Sequence, residues 1–183
     1  MSVQIFCVSG YEVGVVGRWE VTVLLRFRVA NHRSIRTEHE FSLVATEFDE
    51  GTARRTGVRA EGREIRVVPV AGIFGANASG KSNVLAAVWA MREAVRTSLA
   101  EWAQGAGVPR EPFALDPAAR DDTTLFEVDL LLGEPRIRYT YGFELSDERV
   151  EAEWLHAYPT RTQAGLVRPR GRPRTRRGGQ RPR

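Results

Sequence analysis

Polar and apolar residues alternate with period two in three successive runs toward the end of the chain. Phe126, Val128, Leu130 and Leu132 define the first, Ile137, Tyr139, Tyr141, Phe143 and Leu145 the second, and Val150, Ala152, Trp154 and Tyr158 the third. Side chains on a strand point alternately to opposite faces, so each run predicts a strand with one face toward a core. Gly133-Glu134-Pro135 and Ser146-Asp147-Glu148 separate the runs and carry turn chemistry, which predicts an antiparallel meander. Nearer the start, Val21, Val23, Leu25, Phe27 and Val29 alternate with Arg26 and Arg28 and predict another half-buried strand. A further strand is expected over 40–45, and the polar stretch 47–64 reads as a loop or hairpin. Residues 66–74 are mostly apolar and predict a buried strand, with Pro69 near its start where a missing donor is tolerated. Residues 1–22 show no clear period beyond a short strand at 3–8 and form an N-terminal extension to which the pattern assigns no role.

The period then changes. Val84, Val88, Met91, Val95, Leu99 and Trp102 recur at steps of four and three, which places them on one face of a helix. That helix is expected to end near Gly105 and Gly107, with Pro109 opposing its continuation.

Between the apolar stretch and the helix lies the candidate chemistry, Gly75-Ala76-Asn77-Ala78-Ser79-Gly80-Lys81-Ser82, a full match to the phosphate-binding loop pattern. A triphosphate needs several donors converging on its oxygens. The loop supplies backbone N–H groups, glycine permits close approach, and the helix N-terminus adds unpaired donors and the positive end of its dipole. Lys81 would reach the β- and γ-phosphates, and the Ser82 hydroxyl would help to hold Mg²⁺. Lys81 is the one lysine among 27 basic residues, which singles out a position where a compact point charge serves better than a planar guanidinium. Nucleotide binding is therefore expected at Gly75, Ala76, Asn77, Ala78, Ser79, Gly80, Lys81, Ser82 and Asn83, with ATP and Mg²⁺ as cofactors.

Several stretches together resemble the amino-terminal half of ABC-type AAA ATPases of the group related to OLD nucleases and SMC-like proteins. They are 24–35, with Asn31-His32-Arg33-Ser34 at their end; 41–45; the loop from Phe74 to Asn83; Pro112-Phe113; Phe126-Glu127-Val128; and 139–145. The resemblance covers about residues 23–160 and implies an α/β P-loop NTPase fold of ABC-ATPase type, present in part, with a mixed sheet, a helix after the loop and an antiparallel meander. It implies that the element ending the first strand lies beside the nucleotide, which brings Arg33 and Ser34 into the candidate site. His32 stands where the family usually has an aromatic residue.

Family members hydrolyse ATP at a dimer interface, using a signature motif, a Walker B aspartate and a catalytic glutamate carried by a second lobe. None of these is found in this sequence, so no catalytic residue is assigned and little hydrolysis is expected from the chain alone. Asp129 ends an apolar run in a way that mimics a Walker B aspartate, but the alternation assigns it to an outward face. Gly178-Gly179-Gln180 echoes the signature motif with no helix after it. The resemblance thus implies a truncated or split ATPase lobe whose partner is a second copy or a separately encoded C-terminal lobe.

Charge changes the picture at one end only. Residues 162–183 hold eight of the 27 basic residues and no acidic one, leaving 19 against 23 over the rest, a net charge of about −4. The arginine-, proline- and glycine-rich segment 161–183 is expected to be disordered. As the alternative function, it is a nucleic-acid-binding arm. Cys7 is alone and His32, His39 and His156 are widely spaced, so neither a disulfide framework nor a zinc site is expected. No apolar stretch is long enough to span a bilayer and no cleavable signal opens the chain, so a cytoplasmic protein with no membrane partner is expected.

Overall fold

The computed structural model describes residues 3–5, 22–49, 51–77, 79–102 and 108–159. Most of the N-terminal extension and the whole arginine-rich segment 161–183 lie outside these residues, as do Ala78 and the glycines at which the helix was expected to end.

The strands are β1 (Val3–Ile5), β2 (Val23–Ala30), β3 (His39–Ser42), β4 (Arg54–Ala60), β5 (Arg63–Val67), β6 (Gly72–Ile73), β7 (Thr124–Leu132), β8 (Ile137–Leu145) and β9 (Val150–Tyr158), with helix α1 (Lys81–Glu101) between β6 and β7. Five of them form one sheet in the order β3-β2-β7-β8-β9. The meander is continuous: Phe126 pairs with Phe143 and Gly142 with Trp154. Every strand pair among the described residues is antiparallel, so the mixed sheet implied by the resemblance is not seen. A parallel pair needs a crossover strand after a helix. Here the strand that follows α1, β7, pairs antiparallel with β2.

One face of the sheet carries α1. Phe27, Val29, Phe41, Phe126, Phe143 and Leu145 share a core with Val84, Ala87, Met91 and Ala94. The expected helical face is therefore corrected: Val84 and Met91 are buried, but Val88 and Val95 are exposed together with Leu85 and Trp89. The buried seam runs through Ala87 and Ala94 between Val84 and Met91. The side chain of Leu99 lies outside the described residues.

A second core lies on the opposite face. The β2–β7 register shifts between Leu24 and Arg26, a bulge that makes Leu25 an extra residue. Leu25 then packs with Leu131 and with Val58, Ile65 and Val67 of the β4–β5 hairpin. Because Leu131 has the parity of Asp129 rather than that of Phe126, it sits on the other face of the sheet. What covers this face of β7 corrects two expectations, the hairpin over Leu131 and the Arg138 and Thr140 side chains around Asp129. Leu131, not Leu130 or Leu132, is fully buried, and Asp129 is buried rather than outward, accepting hydrogen bonds from Arg138 Nη2 at 2.6 Å and from the Thr140 hydroxyl.

The strand expected over 66–74 is broken. Its first residues belong to β5, Pro69 lies in a bend, Val70 is exposed, and pairing resumes only at Gly72–Ile73. Proline has no amide to continue the ladder, and the chain uses it to leave the hairpin. The expected strand at 3–8 is described only over Val3–Ile5, which pairs with β6. At the far edge, β9 is exposed along nearly its whole length, with only Trp154 half-buried. Among the described residues, no helix is long and apolar enough to cross a membrane.

Candidate phosphate-binding site

The loop 75–80 joins β6 to α1, and α1 begins at Lys81. Gly80 adopts φ +85°, a left-handed conformation that favours glycine. A methyl carbon built there would also stand 2.8 Å from Ser34 Oγ, too close for a side chain. The Lys81 ammonium curls back over the loop, donating to the carbonyls of Gly75 at 2.8 Å and Ala76 at 2.5 Å, and lying 3.4 Å from Ser79 Oγ. Ser79, Gly80, Lys81, Ser82 and Asn83 line an open cavity of about 360 Å³. Among the described residues no carboxylate lines it, and the first turn of α1 carries no acidic residue, so none of them opposes an anion at the positive end of the helix. Ser82 is exposed at the second position of α1. Gly75, Ala76 and Asn77 are exposed as well, while Ala78 lies outside the described residues.

The structure brings Ser34 to this loop. Asn83 Nδ2 donates to Ser34 Oγ at 2.6 Å, so the turn that ends β2 is fastened to the first turn of α1 across 49 residues of sequence. That turn closes on itself through His32 N to Ile35 O at 2.9 Å and Ile35 N to His32 O at 2.8 Å. Both Asn31 and Arg33 have positive φ, 51° and 52°. Arg33 does not reach back to the loop through any hydrogen bond among the described residues. Its Nε and Nη2 instead grip Glu111 Oε2 and Oε1, each at 2.8 Å, and its backbone N–H donates to the Glu111 carbonyl at 2.7 Å. The pairing holds the Glu111 carboxyl below its ordinary pKa and raises that of Arg33, through the hydrogen-bonded fork first in both cases.

Asn31, which the sequence marked only as part of a resemblance, is the anchor of this region. It is 2% exposed, and its Nδ2 faces the carbonyls of Ala119, Asp122 and Thr123 at 2.7, 3.0 and 3.2 Å. Its Oδ1 accepts from Phe113 N at 2.9 Å, and its carbonyl accepts from Thr124 Oγ1 at 2.8 Å. The segment that carries Glu111 is thereby strapped to the end of β2.

His32 fills an aromatic's place. It is 3% exposed, and its ring meets Phe126 edge to face with centroids 5.4 Å apart. Neither ring nitrogen finds a hydrogen-bond partner among the described residues. Burial, reinforced by the charge of Arg33, pushes the imidazole pKa below its ordinary value, with Glu111 opposing weakly. The unfolded chain therefore takes up the proton first as pH falls, so stability should decline below about pH 6.5. Replacing His32 with Phe should remove that dependence and add about 1 kcal/mol or more at pH 7.5, since two polar atoms no longer need desolvating. Urea titrations of both proteins at pH 7.5 and 5.5 would measure it; an unchanged difference between the two pH values would remove His32 as the cause. Among the described residues, no cluster of histidine, cysteine and carboxylate side chains could hold a metal ion by itself.

Glu111 and Asn31 are the two residues that reasoning from the sequence did not place in the site. Glu111 directly precedes the Pro112-Phe113 pair that carries part of the resemblance, a proximity that offered the one available signal.

A family model described as "AAA domain, putative AbiEii toxin, Type IV TA system" matches residues 70–176. The match takes in the loop, α1 and the meander, and spans more than half of the chain. Arg33 and Ser34 precede it. No curated protein and no solved structure matches the chain.

Proposed function

The chain belongs to this AAA domain family, and from that premise we propose that it is the ATP-binding lobe of an ABC-type ATPase, taking ATP with Mg²⁺ at the loop 75–83. The observation that carries the reading is the convergence, on one cavity, of the Lys81 ammonium, the N-terminus of α1 and a glycine that keeps the backbone bare. An ammonium and exposed N–H groups at a helix start suit phosphate oxygens. Mg²⁺ needs few protein ligands when phosphates and water complete its octahedron, and the exposed Ser82 hydroxyl supplies one. When bound, the metal would neutralise charge on the phosphates. The residues of this chain bind and orient; Ser34, held by Asn83 against Gly80, fixes the start of α1.

Among the described residues the cavity offers no carboxylate to polarise a water, so hydrolysis would draw on acidic groups from a second copy or a separate lobe. Two features favour such a partner. The outward side of α1 exposes Leu85, Val88, Trp89 and Val95, and among the described residues nothing pairs with the outer edge of the nine-residue strand β9.

Binding of Mg·ATP measured by calorimetry on the full chain should fall at least about tenfold in Lys81→Ala, the loss expected for a charge-assisted contact. The unfolding midpoint should stay within a degree or two. Equal affinities would overturn the reading.

A further inference from the structure

We propose that the face of the sheet turned away from α1 holds a second binding site, for a small oxyanion bearing a carboxylate or phosphate group, with Arg26 and Arg138 as its donors. Strand register sets Arg26, Asp129, Thr140 and His156 in one row across β2, β7, β8 and β9. Directly opposed residues share a face, and the parity of Asp129 puts this row on the side opposite the α1 core. The next row holds Arg28 and Glu127, while Arg138 stands two residues from Thr140 along β8. These side chains, with Glu40, line a cavity of about 290 Å³ that takes in none of residues 75–83.

In the row of Arg28, donors and acceptors match. Arg28 donates to Glu38 and to Glu127, and the second oxygen of Glu127 accepts from Trp154 Nε1 at 2.8 Å. In the row of Arg26 they do not. Both oxygens of Asp129 are taken, by Arg138 Nη2 at 2.6 Å and by the Thr140 hydroxyl. Arg26, directly opposite Asp129, makes no hydrogen bond among the described residues, and its ion pair with Glu40 is 3.9 Å long. Arg138 gives Asp129 one of its five N–H groups, and its buried Nε has no acceptor among these residues. A buried donor left in that state is rare. The cavity therefore holds more donors than acceptors, and a ligand that restores the balance brings oxygens.

Arg138 is fixed before any ligand arrives. Its guanidinium lies over the Tyr158 ring at 4.9 Å and is tethered to Asp129, so its rotamer freedom is lost on folding rather than on binding. Three arginines face three carboxylates in the lining, which opposes an anion. Arg28 and Arg138, however, each neutralise one of those carboxylates by direct contact. The third pair, Arg26 and Glu40, is 43% and 42% exposed, so solvent weakens it and an anion can draw Arg26 away.

The test is calorimetric titration of the full chain carrying Lys81→Ala, with inorganic phosphate and succinate as probes and chloride at matched ionic strength as the blank. Removing Lys81 keeps the loop from claiming the phosphate, so failure of the loop as an ATP site leaves this result unaffected. At least one probe should bind with a Kd of about 1 mM or tighter; tighter phosphate identifies a phosphate group, tighter succinate a carboxylate. Adding Arg26→Ala should weaken binding about tenfold without moving the unfolding midpoint, since that side chain is half-exposed. Arg138→Lys, which keeps a charge beside Asp129 but loses the planar fork, should weaken it about fivefold. Glu40→Gln should tighten it about two- to fivefold by releasing Arg26. Heats no larger than the blank for both probes, or an Arg26→Ala chain that binds as tightly as its parent, would overturn the proposal. So would weaker binding in Glu40→Gln.

Discussion

Replacing Asn31 with Ala should destabilise the protein by about 4 kcal/mol, the largest effect expected of any single change considered. Truncation removes the partner of a buried Phe113 N–H and of the carbonyls of Ala119, Asp122 and Thr123. Each buried group left unpaired costs about 1–3 kcal/mol. The backbone adds its share, because φ at this position is +51°, and a left-handed conformation costs alanine about 1 kcal/mol more than asparagine or glycine. Asn31→Gly separates the two causes: it should recover about 1 kcal/mol and no more. Guanidinium or urea unfolding of the three proteins would read both steps. A loss under about 1 kcal/mol in Asn31→Ala would mean that the segment 111–124 is held elsewhere. Since a domain of this size is stable by roughly 5–15 kcal/mol, the variant should still fold at low temperature.

Gly142→Ala should cost about 2–3 kcal/mol, by overpacking rather than by loss of contact. A methyl carbon there would stand 2.5 Å from Trp154 Cζ2, 2.7 Å from Cε2 and 2.9 Å from the carbonyl oxygen of Phe126. The indole lies across the bare backbone and donates from Nε1 to Glu127 Oε2 at 2.8 Å, while Glu127 Oε1 accepts from Arg28 Nη1 at 2.5 Å. Moving the ring breaks that chain of charge-assisted bonds across three strands. The carbonyl belongs to the neighbouring ladder and cannot move. A second change, Trp154→Ala, should therefore relieve only part of the strain. If Gly142→Ala unfolds at the same denaturant concentration as the wild type, the close packing of the indole is not a constraint.

The elements that could be read in advance are those whose reasons are local. The meander announced itself because Phe126, Phe143 and their neighbours alternate and Gly133-Glu134-Pro135 turns the chain. The loop around Lys81 announced itself because phosphate chemistry demands glycine, lysine and serine at fixed spacing. The helical face was misjudged for a physical reason. Ala87 and Ala94 do the buried packing yet carry little hydrophobic weight, while Val88 and Val95 are apolar and exposed. Asp129 was given the wrong environment because hydrophobic periodicity carries no information about the Arg138 and Thr140 side chains that meet it from the next strand. Asn31 and Glu111 were beyond reach for another reason. Their partners lie about 80–90 residues away, and no pattern within a window of sequence records which distant carbonyls a side-chain amide will meet.

The extra residue at Leu25 also says how this sheet would respond to a change in chain length. Strand parity allows a residue only two environments, and the bulge lets β2 serve both within eight residues. Losing Leu25 would close the bulge without moving its neighbours, since Val23 opposite Leu131 and Arg26 opposite Asp129 would then alternate regularly. The cost would fall on the second core, which would lose the side chain that meets Val58, Ile65 and Val67. A single inserted residue thus furnishes one face of the sheet without disturbing the other.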